Sequence, residues 1–415
     1  MNLRRQRYRK FLIYSLICSI VTLAVTSYFY CYSKVPSNIK IRAGMEQTID
    51  FGIPVTGEFS KKEEVPEAVA VSEQGKSNVP KSAINMAMQD AVTLYASQTD
   101  AYQLELKLFG LIPLKEVEVE VIEDESLIPA GIPIGIYVKT EGVLVVGVGE
   151  FEGANGVETA PSKYLLKVGD YITKVNGKVV EGKADFMEMI ADSGGSELVL
   201  TVKRDDETFE VKTQPERNES GEYKLGIWIR DNAQGVGTLT FVDDEGDFGA
   251  LGHGINDVDT SELLTLDSGT LYHTEIVGIR KGVSGVPGEM TGLIDYTNDN
   301  ILGEVTVNST EGIYGVGNEK LLEEINQVSI PIALKQEVKK GPAQILCAVE
   351  GYTESYDIEI IDLSLDTEKL NRGITLEITD PRLLETTGGI IQGMFTSYNG
   401  SNNRKASKIK GFLMF

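Results

Sequence analysis

Hydrophobic and polar positions are distributed unevenly along the chain. Phe11 to Ser33 runs 23 residues without a formal charge. At about 1.5 Å rise per residue, this stretch predicts a helix long enough for a hydrocarbon core of about 30 Å. Arg4, Arg5, Arg7, Arg9 and Lys10 precede it, and only Lys34, Lys40 and Arg42 follow closely. That asymmetry keeps residues 1–10 cytoplasmic as a basic tail and puts the bulk of the chain outside, with 11–33 as a transmembrane anchor. Tyr28, Tyr30 and Tyr32 suit the interfacial aromatic belt. The segment VTSYFYCYS has no convincing small-x-small cleavage site, and the apolar stretch exceeds the about 7–15 residues of a signal peptide. An uncleaved anchor is therefore the expectation.

Beyond the span the period changes. Residues 34–126 read as an extracytoplasmic α+β segment, beginning with a short β stretch over 36–56. Residues 57–83 are charged, small and interrupted by Pro, and predict a linker open to proteolysis. Ile84–Ala96 predicts a short amphipathic helix. Gln103–Phe109 and Val117–Ile122 alternate apolar and polar residues, which predicts strands. Residues 127–212 form a compact pattern: strands at Ile136–Tyr137 and Val143–Val148, a helix at Ala184–Ala191, and the strand pair ELVLTVKR and ETFEVKT. From 213 to 415 strands alternate with Gly-rich turns and no long helical period appears, so an all-β barrel or sandwich is expected.

Composition narrows the function. A 41% apolar fraction with 43 Gly and 13 Pro describes an ordered, mainly β chain and excludes collagen-like and disordered classes. The net charge of −23 argues against nucleic acid, whose phosphates require a basic face. Cys18, Cys31 and Cys347 cannot build a disulfide framework, and no spacing resembles a zinc site. Neither a metal nor a cofactor is expected. With two His in the chain, imidazole chemistry falls on His253 or His273.

LKVGDYITKVNG resembles the signature of PDZ domains. Gly169-Asp170 turn the chain into a strand, and Asn176-Gly177 suit a tight hairpin. Such domains bind extended peptides by strand addition. His253 lies in FGALGHGINDVDT, crowded by Gly249, Gly252 and Gly254, so that its ring is not covered by large neighbours. It is read either as catalytic or as a structural histidine. His273 alternates with apolar residues and reads as an ordinary strand position. Asp380 in LEITDPRLLETTGG ends an apolar strand before Pro381, as a catalytic carboxylate or a common turn-former would. A calcium site from His253, Asp257 and Asp259, or from the run Asp243 to Asp247, is a minor alternative.

Over nearly the whole chain to about Met394 the sequence resembles the stage IV sporulation protein B peptidases. The resemblance is carried by LFGLIPLKEVEVEVI, GVLVVGV, KVGDYITKVNG, LGIWIRD, GVGTLTF, FGALGHGINDVDT, EVKKGPAQIL and LEITDPRLLETTGGIIQGM. It implies a membrane-anchored serine endopeptidase of endospore formers, with a PDZ domain ahead of a chymotrypsin-like double β-barrel. By resemblance, His253 and Asp380 belong to a Ser–His–Asp triad. The family's nucleophile follows GGIVQGM in an SGSP turn, but here Phe395 takes that position and Ser397 falls on the second serine. The family pattern is lost after 394, and the C-terminal end is expected to be incomplete. The resemblance also implies protein substrates including the chain itself, regulators of an intramembrane protease as partners, and a forespore intermembrane location. The alternative is a PDZ scaffold without turnover. A trypsin-type quality-control protease is disfavoured, because there the catalytic domain precedes the PDZ domain.

Overall fold

Two strands of sixteen residues, β1 (Pro133–Val148) and β2 (Ile227–Val242), pair antiparallel along nearly their whole length and organise the larger part of the chain. The computed structural model describes residues 3–49, 51–61, 69–72, 84–88, 92–96, 99, 101–205, 207–283, 285–325, 327–334, 337–363, 373–389, 391 and 398–399. The chain divides into two units. One comprises Met1–Glu125, Ile332–Lys339 and Leu363–Gly373, and the other Ser126–Pro331, Lys340–Asp362 and Ile374–Phe415.

In the first unit helix α1 (Leu3–Lys34) contains Arg7–Lys34, long and apolar enough to cross a membrane by length and composition. Its last turns do not end in solvent. Cys31 and Val35 join the buried core of a five-stranded sheet. The Tyr28 hydroxyl donates to the Pro113 carbonyl at 3.1 Å, and Lys115 Nζ donates to the Val35 carbonyl at 2.9 Å. In that sheet Asn38–Arg42 lies parallel to Ile112–Ile122, which pairs antiparallel with Ala101–Leu108. Leu104, Leu106, Val117 and Val119 are buried at the period of 2 that predicted these strands. Arg42, itself buried, is held by Asp124 and Glu337.

Two expectations fail in this unit. The helix expected over Ile84–Ala96 is instead two strands, Ile84–Met88 and Val92–Ala96. Ile84–Met88 pairs with Val55–Phe59 and Val92–Ala96 with Glu46–Ile49, so available strand edges overrode a short, weak helical period. The linker expected over 57–83 begins inside the strand Val55–Lys61, which is paired on both sides, and contains the strand Val69–Ser72. The rest of that segment, 62–68 and 73–83, lies outside the described residues.

In the second unit β1, β2, β3 (Asp247–Ala250), β4 (Leu266–Arg280), β5 (Ile301–Ser309) and β6 (Gly312–Gly317) close into a barrel. The order around it is β1–β4–β5–β6–β3–β2 and back to β1, with every neighbour antiparallel. Ile134, Ile136, Val138, Leu239, Phe248, Leu271 and Ile313 fill its interior. Beyond the barrel, Ile374–Ile378, Glu354–Leu363, Gly341–Cys347 and Tyr398–Asn399 form a four-stranded sheet.

The first half of β1 belongs to the barrel, where Ile134 faces both Gly237 and His273 across the ladders. At Gly142 (φ +70°) the register with β2 slips, and Val143–Leu144 pair with Tyr171–Val175 of a second core. That core contains Val143, Val145, Ile172, Leu198, Leu200 and Val202, closed by Phe186 and Ile190 of helix α2 (Lys183–Asp192). β1 therefore passes from one core to the other at Gly142.

A Cβ at Gly142 would sit 2.2 Å from the Ile172 carbonyl oxygen, with φ in the left-handed region. Gly142→Ala is expected to cost on the order of 3 kcal/mol by clash and strain together. A urea titration checks this: an unchanged midpoint would mean that the slip does not depend on glycine.

Candidate active site

The turn residues expected of a PDZ domain hold its frame. Gly169 has φ +95°, and the buried Asp170 accepts the Lys167 N–H at 2.8 Å and Arg204 Nε and Nη2 at 2.6 and 2.8 Å. This bidentate pair raises the Arg204 pKa, chiefly through the hydrogen bond to Asp170. Asn176 and Gly177, at φ +51° and +80°, form a two-residue hairpin between Val175 and Lys178. The Asn176 side chain also accepts the Val199 N–H at 2.8 Å.

Strand addition needs a free edge, and at Leu144 β1 has none, with Tyr171 on one side and Arg230 of β2 on the other. The opening residues of β2 complete this part of the sheet. Ile227 and Ile229 pack on the PDZ core, while Trp228, 59% exposed, lies outward over Gly147 and Gly149. Asp231 Oδ2 accepts the Lys183 N–H at the start of α2, 2.8 Å away.

His253 stands in the loop between β3 and β4. Leu251 and Gly252, at φ +71° and +77°, turn the chain sharply, and the Leu251 N–H donates to the Thr238 carbonyl. Gly254 is buried, with space for no side chain: a Cβ there would lie 2.5 Å from the Ser309 carbonyl oxygen. The imidazole is exposed, and its Nδ1 is 2.9 Å from the Gly254 carbonyl oxygen. A carbonyl only accepts, so this contact places the proton on Nδ1 and leaves Nε2 as a free acceptor.

The residues after His253 are braced from several directions. Asn308 holds Ile255 and Leu264 through its side-chain amide. Asp257, 2% exposed, accepts the Asp259 and Thr260 N–H groups at 2.9 Å each. Its carboxylate also meets Arg230, whose other nitrogen contacts Asp259 at 2.6 Å. Burial opposes ionisation of Asp257, but these N–H donors and Arg230 prevail and hold its pKa low. The carboxylates considered as calcium ligands are thus engaged with protein donors. Asp243 likewise accepts the Glu245 and Asp247 N–H groups in a hairpin tip.

Asp380 caps helix α3 (Pro381–Thr387). Its Oδ1 accepts the Arg382 N–H at 2.9 Å, and its Oδ2 accepts Arg382 Nη2 at 2.9 Å and the Asp357 N–H at 3.5 Å. Arg382 also stacks 5.0 Å over the Tyr356 ring and reaches Glu354. Hydrogen bonding from Arg382, against the opposing effect of burial, keeps the Asp380 pKa below the ordinary aspartate value. Among the described residues, no hydrogen bond or ion pair joins Asp380 to His253. The sheet beside Asp380 touches the segment before β1: Gly131, whose N–H donates to Leu239, would place a Cβ 3.1 Å from Leu346. Burial above all, and the Asp380 charge after it, pushes the neighbouring Cys347 thiol pKa up.

Past Asp380, α3 ends at Gly388 (φ +70°) against the β4 hairpin. The Gly282 N–H donates to the Thr387 carbonyl at 2.8 Å, and Gly288 bridges Ile391 in parallel. A cavity of about 250 Å³ opens there, lined by Gly282, Val283, Pro287, Gly388 and Gly389 among others. Phe395 and Ser397 lie outside the described residues. Sequence reasoning missed Arg230, Arg382 and Gly131. Arg230 and Arg382 sit within LGIWIRD and LEITDPRLL, but neither segment reveals in one dimension which carboxylate its arginine meets.

Residues 221–405 match the family described as SpoIVB peptidase S55, and residues 130–214 match the PDZ domain. The first match extends beyond Met394 and includes Phe395 and Ser397. No curated protein matches the chain significantly.

A depressed native pKa makes Asp380 stabilising above the unfolded aspartate value of about 4, with that contribution lost as pH falls through the lower native value. Asp380→Asn is therefore expected to show its largest stability deficit near neutrality and to converge on the wild type as pH drops below about 4. Urea unfolding across pH measures the gap, and a constant gap would refute the assignment.

Proposed function

We propose, from the premise that residues 130–214 are a PDZ domain and residues 221–405 belong to the SpoIVB peptidase S55 family, that His253 is the general base of a membrane-anchored serine endopeptidase. One observation carries this reading: the exposed imidazole whose Nδ1 is fixed by the Gly254 carbonyl. Nε2 then accepts the proton of an attacking hydroxyl and returns it to the leaving amine, as in acyl transfer generally. By the family resemblance Asp380 is the triad carboxylate, which would have to exchange Arg382 for the imidazolium, and Ser397, two positions past Phe395 on the family's second serine, is the candidate nucleophile. Backbone N–H groups beside that hydroxyl would meet the tetrahedral oxyanion.

The finer reading is a sporulation peptidase with a cytoplasmic N-terminus and its bulk in the forespore intermembrane space. There it cleaves itself and regulators of an intramembrane protease, leading to late sigma-factor activation. The five basic residues before the apolar span support the orientation, and the family match supports the substrate class. A second reading is favoured by one residue: Phe395 stands where the family has its nucleophile, which suits a pseudopeptidase that keeps its scaffold.

Hydrolysis of an activated peptide ester by the full chain in detergent separates the two. The peptidase reading expects turnover that falls by about 10³-fold or more in His253→Gln and Ser397→Ala. Absence of turnover in the wild type would leave the scaffold, and turnover untouched by His253→Gln would remove His253 from the mechanism.

A further inference from the structure

The loop that carries His253 continues into a stretch with a buried charge. Asp257 organises residues 257–262 almost alone. Its side chain holds two N–H groups, its own N–H donates to the Glu262 carbonyl, and its carbonyl accepts from Ser261, which sits at φ +61°. A carboxylate this deeply buried needs a compensating cation. That cation is Arg230, which is not on the loop or on the barrel half of β2. It lies opposite Leu144, in the part of β2 that packs on the PDZ core.

Other contacts run the same way. The Thr265 N–H donates to the Tyr171 hydroxyl at 3.0 Å, and the Glu141 N–H donates to the Thr265 carbonyl at 3.2 Å. Glu262 lies where a side chain on Gly169 would go. The loop after His253 thus rests on Tyr171, Glu141 and Gly169, and Arg230 is a fourth support that meets its buried charge.

We propose that Arg230 is a positioning residue for His253: its planar guanidinium, on a strand anchored to the PDZ core by the flanking Ile229, clamps Asp257 and Asp259 and so fixes the loop from which the imidazole projects. The proposal rests on reading His253 as the base, and it adds that the strand packed on the PDZ core sets where that base stands. Arg230 acts through Asp257, not by touching substrate.

The test is made on the full chain with readouts independent of turnover. The chain has two His, so the His253 ring proton signal is assigned by comparison with His273→Gln. Arg230→Met is expected to speed hydrogen exchange at the Asp259 and Thr260 amides by about tenfold or more and to shift the His253 signal. His273, bound to Glu324, should not respond. Asp257→Asn keeps an acceptor for those amides without the charge. Adding Arg230→Met to it should change exchange by no more than about twofold, because the partner charge is already gone. Trp228, the one Trp of the sequence, reports through its fluorescence whether β2 stays seated.

If Arg230→Met does not fold, Arg230→Lys carries the test, since one ammonium cannot reproduce a planar fork on two carboxylates. Wild-type exchange and an unmoved His253 signal in the folded variant would overturn the proposal, as would an Arg230→Met effect of equal size in the Asp257→Asn background. A failure of the peptidase reading would show only in the ester assay and leave these exchange results standing.

Discussion

The antiparallel ladder between β1 and β2 is the constraint on which the second unit depends. Pro133–Lys139 pairs with Asn232–Thr238 in the barrel, while Leu144–Val148 pairs with Ile227–Arg230 beside the PDZ core. One pair of strands thus belongs to two hydrophobic cores. Neither core can rearrange without straining hydrogen bonds that the other also uses, because a register slip of one residue would turn every buried side chain outward. Gly142 permits the change of direction between the cores without breaking the ladder.

His253 and Asp380, distant in sequence, are set by separate supports. His253 is set by β3, whose last residue is followed by Leu251 bonded to β2 at Thr238. Asp380 is set by the four-stranded sheet and by Arg382. That sheet touches the segment just ahead of β1 at Gly131, where a side chain would crowd Leu346. Nδ1 of His253 takes its orientation from a main-chain carbonyl, and the Asp380 carboxylate is occupied by a guanidinium. Each group is therefore ordered by local partners.

Much of this was legible in the sequence because it rests on period and turn chemistry. The alternation in Gln103–Phe109 and Val117–Ile122 gave the strands Ala101–Leu108 and Ile112–Ile122. Asn176-Gly177 could only be a left-handed pair, and α2 matched its apolar spacing. The failures have one cause. Ile84–Ala96 and the beginning of 57–83 took the structure their neighbours offered, which no local window records. The passage of β1 from one core to the other left no mark, because a shared strand looks the same on both sides of its bend. Arg230 was invisible for a related reason. Its partners lie 27 and 29 positions away, and a buried ion pair leaves no periodicity.

The shared ladder also governs how this unit opens. Ile227 and Ile229 pack on the PDZ core and continue along one strand into the barrel, so that strand cannot peel from one core without loading its bonds to the other. Local opening of either core is therefore a larger and rarer event than the fraying of a terminal strand. Two small domains gain a resistance to partial unfolding that neither would have with a strand of its own.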